Sequence, residues 1–271
     1  MSQDFHEKRT LGRTGFQVGR LGIAASYGAP TEAFEEAFER GVNYFYWGSR
    51  RTPAMGEAIR RLVSKGKRDE MVLVLQSYAR YGGVLRSFFL KGLKSLGLDS
   101  ADVLLLGWHN TLPSSRILDT ASALKHEGRV KVIALSGHNR PLFPGLATDE
   151  RFGLFHVRYN AVHRGAEEEI FPRLPAENRP GIATFTTTRW GDLLNPKKLP
   201  PGETPLRGSD CYRFALSNPA VDVCMCGPKD LAQTREALSA LDLGPLSEED
   251  LARMRRIGDH IYGHHKRPFS E

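Results

Sequence analysis

Cysteine is scarce in this 271-residue chain: three residues, an odd number, which argues against a disulfide framework and for a reducing, cytoplasmic compartment. No run approaches 18 consecutive apolar residues, so no membrane span is expected. The first nine residues are polar and contain no apolar core, so a secretory signal is not expected either. Long Lys/Arg runs are also missing. Lys and Arg number 38 against 31 Asp and Glu, a formal net charge of +7, but they are scattered. That fits a solvated basic surface attracting acidic or phosphate-bearing small molecules better than a nucleic-acid interface. No Ser/Gly linker or low-complexity tract divides the chain, and one domain over residues 1–271 is expected.

What is present is an ordinary globular composition, 40% hydrophobic and 25% charged. Eight apolar runs, at residues 21–24, 42–46, 71–76, 102–106, 130–136, 155–159, 181–186 and 221–226, alternate with amphipathic stretches. Several are near-continuous Val/Leu/Ile, as strands of a parallel sheet covered by helices should be. Residues 31–40, 84–96, 116–127 and 231–241 carry helical spacing, with Thr31 the expected N-cap of the first. A last helix starts at Ser247, with Asp250 three residues on and Leu246 and Leu251 as a hydrophobic staple. Eight strand–helix units predict an α/β fold closed into a single (β/α)₈ barrel. Residues 192–208, rich in Pro and Lys, read as an irregular loop, functional or merely exposed.

Five segments, in order, carry a family resemblance. They are Arg9-Thr-Leu-Gly-Arg-Thr-Gly-Phe-Gln-Val-Gly-Arg-Leu-Gly22, Gly41-Val-Asn-Tyr-Phe45, Leu124-Lys-His-Glu-Gly-Arg-Val-Lys-Val-Ile-Ala-Leu-Ser136, Tyr159-Asn160, and Gly227-Pro-Lys229 with Gln233 and Glu236. Together they resemble the aldo/keto reductase superfamily. The resemblance implies a barrel with an N-terminal β-hairpin and a C-terminal helix, and NADP(H) as cofactor. It implies cofactor contacts at Ser136, His156, Asn160, Phe185, Arg189, Gly227, Lys229 and Gln233. Here Gly137 follows Ser136 where the family has Asn, His156 stands for Gln, Phe185 for a stacking Tyr, and Ala237 for an Asn after Glu236.

The family's catalytic residues fare worse. A Tyr serves there as general acid, tuned by a Lys paired with an Asp, while a His orients the carbonyl. A phenol of pKa about 10 donates a proton at neutral pH only beside a cation that stabilises the phenolate. In this chain the Asp position holds Tyr46 and the Lys position Gln76. The His position holds Gly107, with His109 two residues on, and no Tyr stands near Arg50 or Arg51.

Strand ends of a barrel converge on one mouth. The candidate catalytic residues there are Tyr46, Arg50, Gln76, His109 and His138, with Tyr46 or His109 as proton donor and Arg50 as charge stabiliser. Arg50, Arg140, Arg158 and Arg189 suit a carboxylate or phosphate, although any one of them can equally rest on the rim in water. His109, His138 and His156 lie at neighbouring strand ends. A metal there is possible but not favoured, since no His-x-x-x-His spacing supports it and hydrogen-bonding histidines are the simpler reading. Cys224 and Cys226 share a strand face and read as buried structural thiols. His260, His264 and His265 belong to a polar tail, solvated or folded over the mouth.

The expected function is an NADP(H)-linked oxidoreductase with a non-standard active site, acting on a small carbonyl compound that bears an anionic group. Two alternatives stand beside it. One is a metal-dependent or cofactor-free lyase, isomerase or hydrolase built on the three histidines; the other is a non-catalytic ligand-binding protein. The partner expected in each case is a small molecule, not nucleic acid or membrane.

Overall fold

An antiparallel hairpin, β1 (Arg9–Thr10) and β2 (Gln17–Val18), opens the chain in the computed structural model, which describes residues 4–48 and 50–264. The strands and helices then alternate: β3 (Leu21–Ala24), α1 (Thr31–Glu39), β4 (Tyr44–Tyr46), α2 (Pro53–Ser64), β5 (Val72–Ser77), α3 (Gly82–Leu96), β6 (Ala101–Leu106) and α4 (Ser115–His126). There follow β7 (Val130–Ser136), α5 (Leu142–Leu146), β8 (Phe152–Arg158), α6 (Ala166–Glu169), β9 (Gly181–Phe185), α7 (Gly208–Leu216), β10 (Val223–Cys226), α8 (Leu231–Leu243) and α9 (Glu248–His264). Strands β3 to β10 pair in sequence, all parallel, and β10 returns to β3 through Cys224↔Leu21 and Cys226↔Ile23. The expected eight-stranded barrel is closed.

Its core is layered by the two-residue strand period. Tyr44, Val72, Val74, Val103, Leu105, Val132, Ala134, Leu154, Ala183, Val223 and Met225 fill the barrel, and Leu11 and Val18 of the hairpin stop its N-terminal end. Arg13 latches that stopper by donating to the carbonyls of Asp149 at 2.7 Å and Ala147 at 2.9 Å. The alternate residues, among them Ile23, Phe45, Leu73, Leu75, Leu104, Leu135 and Phe155, face the helices. Cys224 and Cys226 belong to this outer layer as buried free thiols, with Met225 pointing inward between them.

Several boundaries differ from expectation. The second barrel strand begins at Tyr44, not at residue 42, because Asn43 turns its amide to the carbonyls of Gln17 and Glu70. Strand β8 starts earlier than expected, at Phe152. Thr31 is not a cap: it is the first helical residue after Pro30, and its hydroxyl donates to the carbonyl of Ala54. Ser247 does cap the last helix, accepting from the Asp250 amide at 3.1 Å. Helix α2 escaped the sequence reading although Met55, Ala58, Ile59 and Leu62 are spaced for it and buried. The 192–208 loop contains two short 3-10 turns, Asp192–Leu194 and Pro196–Lys198. Among the described residues no helix is long and apolar enough to cross a membrane.

Candidate active site at the barrel mouth

Inward alternation carries Tyr46, Gln76, Ser136, His156, Arg158 and Phe185 to the C-terminal end of the barrel, while Arg50, His109 and His138 follow on loops. The ends of β4, β5 and β6 form a neutral plug. Tyr46 donates its hydroxyl hydrogen to Oε1 of Gln76. A side chain at Gly48 would meet the Tyr46 ring at 2.5 Å, and one at Gly107 would meet Nε2 of Gln76 at 2.3 Å. Those two glycines therefore leave the volume that the phenol and the amide occupy. Burial, then the nearby phenols of Tyr78 and Tyr27, raises the Tyr46 pKa well above the usual phenol value. The expectation of Tyr46 as proton donor is corrected: it is a weaker acid than free tyrosine, and no cation among the described residues lowers it.

Arg50 does not join Tyr46. Its side chain is exposed, and its carbonyl accepts from the Ser26 hydroxyl at 3.5 Å. Arg51 leaves the mouth altogether. Its guanidinium lies 3.8 Å over the Phe88 ring and donates to the Phe88 carbonyl at 2.7 Å, and burial pushes its pKa down to about 10.

His109 sits beside Arg80, with Nε2 3.2 Å from Nη1. Arginine only donates, so Nε2 accepts and the imidazole proton resides on Nδ1. Burial and then the Arg80 charge push the His109 pKa down to about 4, which keeps the ring neutral. Arg80 also binds the carbonyls of Tyr78 and Gly107, fastening the β5–α3 and β6–α4 loops together. Sequence reasoning missed Arg80, whose role depends wholly on where two loops meet. Trp108, at φ 54°, is held by its amide to the Ser136 hydroxyl at 3.2 Å, and 53% of its surface is exposed.

His138 packs edge-on between Trp108, at 5.9 Å, and Phe185, at 6.1 Å. Its backbone amide is fixed by Asn110 Oδ1, whereas its buried Nδ1 has no hydrogen-bond partner among the described residues. Burial and then Arg158 lower its pKa. His156 lies deeper, 2.7 Å from the Tyr44 hydroxyl, with its pKa pushed by burial to about 3. The three histidines thus take separate partners. Among the described residues no group of three or more His, Cys, Asp or Glu side chains assembles for a metal, so the metal-dependent form of the three-histidine alternative has no ligand set there.

The cofactor candidates divide. Ser136 and Phe185 stand at the mouth. Asn160 is corrected: fully buried, it clamps its own loop, donating to the Thr186 carbonyl and accepting from the Val162 and His163 amides. His156 has Nε2 committed to Tyr44, which leaves only Nδ1 for the carboxamide contact implied for it. Arg189, at φ 50°, is buried and ion-paired with Asp192 at 3.5 Å. Gly227 lies beneath the Tyr27 ring, which would stand 2.4 Å from any added side chain. Gln233 turns its Oε1 to the Lys229 amide, and Asp230 caps α8 by accepting from the Gln233 amide at 2.8 Å. Lys229 itself is exposed. Shallow hollows of about 610 Å³ beside Lys125 and Arg151, and about 660 Å³ beside His6 and Asp242, lie on the outside of the barrel.

A solved structure of aldo-keto reductase AKR11C1 from Bacillus halodurans in its holo form superposes with a TM-score of 0.73, covering 93% of this chain and 96% of that one at 18% identity. Its apo form gives 0.72, with 93% and 95% covered at 18% identity. The fold is that of an aldo/keto reductase. No protein-family model matches the sequence, and no curated protein matches it. At this identity the likeness extends to the fold, and the chemistry of the mouth has to be read from its own residues.

Proposed function

We propose that this protein is an aldo/keto reductase-type oxidoreductase that uses a nicotinamide cofactor, NADP(H), on a small anionic carbonyl compound. The observation that carries the reading is the pair of strand ends at β7 and β9, where Ser136 offers a hydroxyl and Phe185 a ring for stacking, in a barrel like that of a known reductase. These residues fit the nicotinamide end. The phosphate end is supported by the exposed Lys229 and opposed by the carboxylate of Asp230 at the start of α8.

When bound, the cofactor supplies hydride. The chain's own residues then bind and polarise the substrate. Neutral His109, with its proton on Nδ1 and its orientation fixed by Arg80, donates a hydrogen bond to the carbonyl oxygen as negative charge develops there. The Tyr46–Gln76 pair shapes the floor without moving a proton. The proton reaching the product oxygen comes from water at the open rim. Arg158 supplies the positive charge that selects an anionic substrate.

NADPH titration followed by tryptophan fluorescence tests this reading, since Trp108 is exposed at the mouth. Saturable quenching together with NADPH consumption in the presence of 2-oxo acids is expected. Unchanged fluorescence at millimolar NADPH would overturn the proposal. A second reading, non-catalytic binding of the anion, is favoured by the neutral plug of Tyr46, Gln76 and Gly107, which contains no group titrating near neutrality.

A further inference from the structure

The geometry points to Arg158 and His138 as a two-point site for a carboxylate, and to a planar aromatic or conjugated monocarboxylate, lying against Trp108, as the ligand. This rests on the mouth being the substrate site and names the substrate class for it.

Arg158 ends β8 and is only 6% exposed, yet its Nη1 is buried with no hydrogen-bond partner. Among the described residues no carboxylate pairs with it. The charges facing it from neighbouring loops have its own sign: Arg140 and Arg189 both depress its pKa, after burial, and only the Tyr262 phenol on α9 acts the other way. Those two arginines are otherwise engaged, Arg140 with Glu169 at 2.7 Å and Arg189 with Asp192 at 3.5 Å. An uncompensated buried guanidinium is costly to a fold, and such costs concentrate where a ligand completes the charge balance.

His138 supplies the second point. Its buried Nδ1 is also unpartnered, and its amide bond to Asn110 fixes where the ring stands. One guanidinium and one neutral imidazole offer two donors and a single net positive charge. That matches the two oxygens and single charge of a carboxylate better than a phosphate dianion. The rest of the ligand is defined by rings. Trp108, His138 and Phe185 run edge to face across the mouth, at 5.9 Å and 6.1 Å between centroids. The Phe185 end is the nicotinamide wall of the proposed function, which leaves the half-exposed Trp108 for the substrate's body. Its left-handed backbone, held by Ser136, presents the indole there at the cost of local strain.

The test uses the full chain without NADPH. Benzoate, its neutral analogue benzamide, acetate and inorganic phosphate are titrated by thermal shift and tryptophan fluorescence. Benzoate is expected to raise the Tm and to bind at least about tenfold tighter than benzamide or phosphate. Arg158→Met is expected to keep or raise the Tm of the unliganded protein while losing benzoate binding by tenfold or more. His138→Phe, which keeps the ring, should weaken benzoate severalfold. Trp108→Ala should erase the advantage of benzoate over acetate. Equal binding of benzoate and benzamide to the wild type overturns the inference without recourse to any variant, as does undiminished binding by a folded Arg158→Met. NADPH is titrated separately. Benzoate binding without NADPH binding keeps this inference and removes the oxidoreductase reading, and the converse does the opposite.

Discussion

The phenol of Tyr46 and the amide of Gln76 are hydrogen-bonded to each other across the ends of β4 and β5, at the two positions where the aldo/keto reductase resemblance implies an Asp and a Lys. A neutral pair thus stands where an ion pair would tune a catalytic acid, and Gly48 and Gly107 leave room for it. The substitutions make one packed unit.

Tyr46→Phe should therefore cost stability and leave substrate turnover unchanged. Losing the donor strands the buried Gln76 carbonyl oxygen, a loss of about 1–3 kcal/mol by urea denaturation. Gly48→Ala, which drives a methyl into the Tyr46 ring, should cost about as much by overpacking. A collapse of kcat in Tyr46→Phe with unaltered stability would return Tyr46 to the role of acid.

Acid sensitivity should arise from the histidines. His109 and His156 have folded pKa values of about 4 and about 3, below the roughly 6.5 of an unfolded histidine. The unfolded chain takes up protons first, so their contribution is complete above pH of about 6.5 and is lost as pH falls toward those folded values. The slope is at most about 1.4 kcal/mol per pH unit for each histidine. The urea midpoint should fall from pH 7 to pH 5, and less steeply in His109→Gln. A midpoint flat over that range would contradict the burial argument.

Cofactor preference offers a third check. The Asp230 carboxylate caps α8 close to Lys229. Asp230→Asn keeps the cap and removes the charge, and NADPH affinity should rise about two- to fivefold, as removing a charge worth ~0.3–1 kcal/mol at a helix N-terminus implies. Affinity that is unchanged or weaker would mean the phosphate does not lie at this helix.

Adjacent arginines should behave differently. Arg51→Met loses the stack on Phe88 and the bond to its carbonyl, for about 1–2 kcal/mol of stability. Arg50→Ala, a change on an exposed side chain, should stay within about 0.5 kcal/mol. Benzoate binding should survive both changes. Its loss in Arg50→Ala would restore the charge-stabilising role expected from sequence.

Strand count and barrel closure were determined by sequence alone, because near-continuous apolar runs alternating with helices admit few arrangements of buried parallel strands, whereas which alternate face of each strand turns inward was decided by the structure. Helix α2 was missed, although Met55, Ala58, Ile59 and Leu62 carry its spacing. Beyond the strand ends that periodicity stops, and partners far apart in the chain set each side chain's direction. Arg50 and Arg51 are indistinguishable by type, yet one is exposed and the other packs on the Phe88 ring of α3. Asn160 clamps its loop, His156 sinks to Tyr44, and Arg80 fixes His109. Only the tertiary structure decided that Arg158 is buried without a counter-charge among the described residues, since pairing depends on which carboxylates the loops bring within reach.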